Sequence, residues 1–229
     1  MFAKLIRPAR AAAALVLALG LAGCFDFEQR LTIKSSGAGR LEVMLRMDPA
    51  FKGALDNETL LGEQASPVEV TREVKDGQYV QTEKVAFNKL PELRVRNETL
   101  SITNEGTTFF GIGPKKLMLR RVVDNGGGDS DSLGVMRGVF QDRVYTFAVT
   151  VPGWIEKAYP VAVGGEAINP VIDGATVKWV VPMAKALSTA SLDYRVDFRS
   201  YMDIEGSATA QRVDGKLGIL PTAGPTPPP

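Results

Sequence analysis

Apolar side chains recur at every second position in many short runs along this chain. A strand places alternate side chains on opposite faces of a sheet, so a period of two predicts half-buried strands. The clearest run alternates Leu192, Tyr194, Val196 and Phe198 with Asp193, Arg195, Asp197 and Arg199. Its charged face is expected to contact water. We predict a β-rich α+β fold in which antiparallel hairpins form one or two sheets with one or two short helices.

Turn residues divide these runs into hairpins. The spacing predicts a first hairpin with its loop at 34–39, a second that turns at Asp76-Gly77 and a third that turns at 104–106. Asp48-Pro49 offers a helix N-cap followed by proline in the first helical position. Apolar residues at 51, 54, 55 and 61 share a helical face, which predicts a helix of about three turns over one sheet face.

The first 24 residues have the order of an export signal, with a basic start, a short apolar run and then Leu21-Ala22-Gly23-Cys24. This last sequence resembles the lipobox of bacterial lipoproteins. The resemblance implies that the Cys24 sulfur receives a diacylglyceryl group and that cleavage leaves Cys24 as the new N-terminus. An ordinary cleaved signal peptide and an uncleaved anchor are the alternatives. We assign residues 1–23 to a lipoprotein signal peptide.

Lipidation at Cys24 would determine where the protein resides. Two or more acyl chains, such as palmitate, anchor a protein stably to a bilayer. We therefore expect a lipid-anchored protein of the cell envelope, outside the cytoplasm. In lipoproteins, aspartate directly after the cysteine favours retention in the inner membrane, whereas Phe25 occupies that position here. The outer membrane is accordingly favoured if the cell has two membranes.

The mature chain divides into a β-rich domain over 24–205 and a Pro-rich tail over 206–229. Five prolines in the last nine residues favour an extended, unpacked tail. Residues 124–134 are rich in Gly, Asp and Ser, as is typical of a flexible loop. One domain that carries this loop is favoured over two subdomains separated by it, because each half alone would have a small core.

Composition restricts the possible chemistry. The chain has no histidine and one cysteine, so it lacks the commonest general base and metal ligand and cannot form an internal disulfide. Neither Ser-x-x-Lys nor Gly-x-Ser-x-Gly occurs, and the Gly-Asp loop lacks the repeats and the spaced glutamate of a calcium site. A formal charge of +1 gives no electrostatic attraction to nucleic acid. We expect no enzymatic activity, no cofactor, no metal site and no nucleic-acid partner.

Two stretches of the mature chain carry a wider resemblance. The first runs from Cys24 directly into the predicted hairpin that ends near Asp48, and the second runs from Tyr145 through Val-Pro-Gly-Trp to Ala158. Together with Trp179-Val-Val-Pro, they resemble LppM-domain bacterial lipoproteins over most of 24–199. The resemblance implies a mixed α/β envelope domain that handles lipid-like ligands, and it brings no catalytic residues.

Three aromatic side chains are candidate contacts for a ligand or a partner. Phe109 and Phe110 are consecutive and so point to opposite faces of their strand, and Trp154 follows a Pro-Gly turn, where exposure to a ligand, a partner or the membrane interface is expected. Core packing is the favoured alternative for Phe110 and Trp179.

The function we predict is that of a non-enzymatic, membrane-anchored envelope lipoprotein that binds a protein partner or acts as a scaffold. The alternative is a module that binds or handles a lipid or another hydrophobic ligand. An exposed apolar patch around Trp154 favours the first function, whereas an enclosed apolar pocket favours the second.

Overall fold

The computed structural model describes residues 25–55, 59–109, 112–125, 140 and 142–211. Within these residues β-strands predominate and the helices are short, which confirms the predicted β-rich α+β fold. The strands are β1 Asp26–Ile33, β2 Gly39–Met47, β3 Val68–Lys75, β4 Gln78–Phe87, β5 Arg94–Arg96, β6 Glu98–Phe109, β7 Ile112–Asp124, β8 Val144–Thr150, β9 Trp154–Ala158, β10 Val161–Val163, β11 Glu166–Ile168, β12 Val171–Asp173, β13 Thr176–Pro182, β14 Ser191–Ser200, β15 Gly206–Ser207 and β16 Thr209–Gln211. The α-helices are α1 Lys52–Leu55 and α2 Met183–Ser188, and 3₁₀ turns occupy Pro49–Phe51 and Leu90–Glu92.

Two sheets form the body of the fold. The larger has seven strands in the order β12-β13-β8-β1-β2-β4-β3, and the smaller has five in the order β15-β6-β7-β14-β9. Strands β1 and β8 pair in parallel, and every other pairing in these two sheets is antiparallel. Because β1 pairs with β8 and β7 pairs with β14, each sheet contains strands from both sides of the 124–134 loop.

The two sheets pack face to face over an apolar core. In β1 and β2 the buried side chains lie at alternate positions, as the period of two requires. Phe147 and Trp179 of the larger sheet stack with ring centroids 5.7 Å apart, and Tyr194 of the smaller sheet packs edge-on against them at 5.0 and 5.3 Å. Each such pair adds about 0.5–1.5 kcal/mol beyond burial of its area. Trp179 is fully buried and is a core residue.

The β3–β4 hairpin has the predicted turn. Lys75 pairs with Gln78, which leaves Asp76 and Gly77 as a two-residue connection with φ angles of 52° and 75°. Two consecutive residues with positive φ form the tight turn that matches the twist of antiparallel strands, and Asp-Gly is a favoured sequence for it.

The predicted three-turn helix after Asp48 is wrong. Asp48 does cap a helical turn, because its carboxylate accepts a hydrogen bond from the Ala50 amide at 2.8 Å, but the 3₁₀ turn and α1 end at Leu55. The amides of Leu60 and Leu61 instead donate to the buried carboxylate of Glu83 at 2.8 and 2.9 Å. The buried carboxylate of Glu83 on β4 thus binds two backbone amides that would have belonged to a longer helix.

The predicted turn at 104–106 is also wrong. Strand β6 continues through these residues, and its register with β7 shifts between Asn104 and Gly106. Gly106 has a φ of 121°, which suits the extra residue of a β-bulge. The hairpin turns later, after Phe109, which pairs with Ile112.

Two further expectations need correction. Asp197 of β14 is buried and not in water, because the Tyr159 hydroxyl donates to its carboxylate at 2.8 Å and Arg195 Nε donates at 3.1 Å. Residues 206–211, which the sequence assigns to the tail, form β15 and β16 and pair with β6 and β5. The signal peptide, most of the 124–134 loop and the rest of the tail lie outside the described residues.

Strand direction defines two ends of the sandwich. Strand β1 runs beside β8 from Phe27, opposite Tyr145, to Thr32, opposite Thr150. We call the end where β1 begins the proximal end, and the end where β1 and β8 finish the distal end. At roughly 3.3 Å per residue, the two ends are separated by about 20 Å.

Gly39 supplies a test of this packing. A Cβ atom at this position would lie 2.3 Å from both the Phe87 ring and the Thr32 carbonyl oxygen. We expect Gly39→Ala to lower the free energy of unfolding by about 1–3 kcal/mol, because core strands must separate to admit the methyl group. Urea denaturation measures the change. Gly53→Ala is the matched control, since nothing lies within 4 Å of its added Cβ, and equal stability of the two variants would contradict the packing described.

Candidate functional site

Three exposed apolar side chains lie at the distal end. Trp154 is 45% exposed, Tyr201 73% and Met202 43%, and the rings of Trp154 and Tyr201 contact each other with centroids 6.1 Å apart. Trp154 is the first residue of β9, and the other two directly follow β14. We call these three residues the distal patch.

Backbone packing fixes the position of Trp154. Trp154 pairs with Arg199 of β14. The preceding residue, Gly153, has a φ of 153°, and a Cβ there would lie 1.8 Å from the Arg199 carbonyl oxygen. Only glycine permits so close an approach of two backbones. The Ser200 hydroxyl accepts a hydrogen bond from the Met202 amide at 3.2 Å, which holds the turn after β14.

A contact across the sandwich confirms that the patch lies at the distal end. Ile204, two residues beyond Met202, lies 3.7 Å from the position of a Cβ on Gly37. Gly37 belongs to the turn between β1 and β2, where β1 ends. The patch is therefore about 20 Å from Phe25, by the rise of the strands.

Charged residues around the patch are paired. Arg199 Nε donates to the Glu156 carboxylate, and Lys115 lies 2.7 Å from Asp203. Such exposed ion pairs contribute little to stability, about 0–1 kcal/mol each. They do give the apolar patch a polar, nearly neutral rim, which is the usual anatomy of a protein–protein interface.

A second polar cluster lies in the core. Arg121 and Glu98 of the smaller sheet form an ion pair with side chains 2% and 6% exposed. The Arg121 guanidinium also donates to the Tyr145 hydroxyl at 2.5 Å and to the Gln29 side-chain oxygen, both on the larger sheet. It lies 4.2 Å from the centroid of the Phe147 ring. We call Arg121, Glu98, Gln29 and Tyr145 the core cluster.

Burial shifts the pKa values of this cluster. Burial raises the pKa of Glu98, and Arg121 partly opposes that rise. Burial raises the pKa of Tyr145 to about 12, again with Arg121 acting in the opposite direction. Shifted groups often mark functional sites, but each member of this cluster is buried between the sheets. Its arrangement suits a structural link between two sheets and not contact with a substrate.

Tyr194 adjoins the core cluster. Its hydroxyl is buried and has no hydrogen-bond partner within the described ranges. Burial raises the Tyr194 pKa well above its ordinary value, and Tyr145 adds to the rise. An unpaired neutral hydroxyl costs less in this position than a phenolate would.

The structure describes only some of the predicted contact residues. Trp154 is exposed as predicted. Phe109 ends β6 beyond the Lys115–Ser200 pair, so its backbone also lies at the distal end. Phe110 and Cys24 fall outside the described residues, and their predicted roles stay predictions.

Sequence reasoning missed Tyr201 and Met202, and it missed the core cluster. The sequence did contain a signal for the cluster. Arg121 occupies a position in the alternating apolar series that includes Leu117, Leu119 and Val123. Glu98 likewise occupies a position in the series that continues with Leu100 and Ile102. A charged residue at a buried position of the alternation indicates a paired charge in the core.

The described part of the chain shows no group of three or more potential ligands arranged for a metal ion. Among the helices in the described ranges, none has the length and apolar character needed to cross a bilayer.

Comparison with known proteins returned a likeness of fold. No family model and no curated protein matches the sequence. Among solved structures, the chain is similar to the NMR structure of the folded domain of LppM from Mycobacterium tuberculosis, with a TM-score of 0.46 and 13% sequence identity. The match covers 78% of this chain and 93% of that one.

The core cluster predicts a loss of stability at alkaline pH. The pKa of Tyr145 rises from 10.0 to about 12 on folding, so between these values the unfolded chain releases a proton that the folded chain retains. Stability therefore falls as pH rises through this window, by about 2–3 kcal/mol. We expect Tyr145→Phe to be less stable at neutral pH but to lose less stability between pH 10 and 12.

Tyr201→Phe is the matched control, because this hydroxyl belongs to a side chain that is 73% exposed. Urea denaturation at several pH values gives the slopes. A slope that Tyr145→Phe leaves unchanged, or that Tyr201→Phe flattens equally, would contradict the assignment.

Proposed function

We propose that this protein is a non-enzymatic lipoprotein of the cell envelope that is anchored through Cys24 and binds a protein partner through the distal patch. The observation that carries this proposal is the contact between two exposed aromatic rings, Trp154 at the start of β9 and Tyr201 directly after β14, where the backbones of Gly153 and Arg199 pack closely. Tryptophan, tyrosine and methionine are enriched at protein interfaces, and rigid aromatic anchors supply much of the binding energy there.

The position of the anchor supports a partner away from the membrane. Phe25, the residue after Cys24, already packs against Phe140 with ring centroids 5.0 Å apart, and β1 begins at the next residue. A lipid on Cys24 would therefore hold the proximal end close to the bilayer surface. The distal patch would lie about 20 Å farther out, beyond the reach of its own membrane.

The packing between the sheets favours partner binding over lipid handling. Phe147, Trp179 and Tyr194 contact one another in this space, and the Arg121–Glu98 ion pair lies beside them. An acyl chain inserted there would have to displace aromatic contacts and surround a charged pair with hydrocarbon. The expected outer-membrane location rests on Phe25 alone and stays a prediction.

Photo-crosslinking in the native cell tests the proposal. We expect benzoylphenylalanine in place of Trp154 to form a protein adduct of one defined mass, because the patch contacts its partner directly. The same residue in place of Val180 is the matched control, since this side chain is 40% exposed and lies on the larger sheet. Adducts are detected by blotting and identified by mass spectrometry.

The adduct must also depend on the rest of the patch. Tyr201→Ala in the crosslinking variant should reduce its yield, and Trp154→Ala should weaken binding of the identified partner by about tenfold or more. A phospholipid adduct at position 154, or equal adducts at 154 and 180, would contradict partner binding through the patch.

A further inference from the structure

A shallow cavity of about 430 Å³ lies on the outer face of the larger sheet, whereas the distal patch lies at the edge of the smaller sheet. Ala148 of β8, an interior strand of the sheet, lies at its floor. Register places Lys178 of β13 beside Ala148 on one side and Arg30 of β1 beside it on the other. With strands about 4.8 Å apart, a gap the width of one small side chain separates two cations. We call this cavity the outer groove.

Cations predominate in the outer groove. Lys178 and Arg40 both line it, and neither has an acidic partner among the residues that the structure describes. Two carboxylates also line the groove, but each already contacts a cation: Glu28 accepts from Arg30 Nε at 2.7 Å, and Glu42 lies 4.0 Å from Lys84. The groove therefore retains a local excess of positive charge.

Threonine hydroxyls supply neutral donors at the same place. Thr32, Thr150 and Thr176 line the groove, and the hydroxyls of Thr150 and Thr176 share one hydrogen bond at 2.8 Å. Such a bond uses the hydrogen of one hydroxyl, so the hydrogen of the other stays available to a ligand. Donors thus approach the gap above Ala148 together with the two flanking cations.

We propose that the outer groove binds a phosphate group of an envelope ligand. Phosphate presents several acceptor oxygens at tetrahedral angles, which suits cations on two sides and hydroxyl donors beside them. Lys178 and Arg40 supply the excess charge, and the small side chain of Ala148 leaves space for the ligand beside Lys178. The site lies on a different face from the distal patch, so its success or failure is independent of the proposed partner contact.

Titration with inorganic phosphate tests the proposal. We expect saturable shifts of the backbone amide NMR signals of β8 and β13 near the groove, measured on the mature protein in a maltoside detergent at constant ionic strength. Lys178→Glu should weaken phosphate binding by about tenfold or more, because it reverses a charge beside the ligand. Ala148→Leu should also abolish saturation, because it fills the gap without changing any charge.

Lys75→Glu is the matched control. Lys75 lies on the same face of the same sheet but outside the groove. Its substitution by glutamate changes the charge by the same amount as Lys178→Glu. Amide shifts that increase linearly with phosphate concentration and do not saturate would overturn the proposal. An equal loss of affinity in Lys75→Glu would overturn it too, because phosphate would then respond only to the overall charge of the protein. Retained saturation in Ala148→Leu would overturn it as well.

A second probe identifies the source of the phosphate. Glycerophosphoglycerol, the headgroup of phosphatidylglycerol, is titrated under the same conditions. Tighter binding than inorganic phosphate supports a phosphodiester ligand such as a lipid headgroup, and weaker binding supports a free phosphate or a phosphate monoester. Absence of saturable binding for both probes overturns the proposal.

Discussion

Arg121 joins the two sheets, and the rest of the fold depends on how its buried charge is satisfied. Glu98 neutralises it from the neighbouring strand, while Tyr145 and Gln29 accept hydrogen bonds from it across the sandwich. Removing one partner of such a pair costs about 3–5 kcal/mol, because an unpaired charge remains in the core. Apolar packing alone is less specific about how the two sheets align, whereas this cluster favours the alignment in which Glu98, Tyr145 and Gln29 all accept hydrogen bonds from Arg121.

That alignment determines what lies at each end of the molecule. With β7 held against β1 and β8, the chain leaves β8 at the distal end and crosses through Gly153 into the smaller sheet. There it meets the end of β14, so the Trp154 and Tyr201 rings come into contact. The start of β1 lies at the other end. A buried ion pair thereby fixes the distance between the residue after Cys24 and the distal patch, and it does so without contacting either.

The sequence was sufficient where local rules govern structure. Alternation found the strands, and Asp76-Gly77 identified its turn because the residues that fit positive φ are few. Sequence patterns failed where a residue distant in the chain determines the local structure. Glu83 accepts hydrogen bonds from the Leu60 and Leu61 amides, which the expected helix would have used. Pairing with β7 produces a β-bulge at Asn104 to Gly106 instead of the expected turn. Trp154 was predictable from its Pro-Gly turn. Tyr201 and Met202 were not, because their exposure depends on where β14 ends against β9.

The proposed orientation requires the distal patch to face away from the membrane to which a lipid on Cys24 would attach the protein. Fluorescence quenching of Trp154 tests this orientation. The lipidated protein is reconstituted in vesicles whose lipids carry nitroxides at the headgroup. The fluorescence of the Trp154→Phe variant is subtracted to remove the contribution of the buried Trp179. We expect aqueous acrylamide to quench the fluorescence of Trp154 and the lipid nitroxides to leave it unchanged. Strong quenching by the lipid nitroxides would place the patch at the bilayer surface and overturn the proposed orientation.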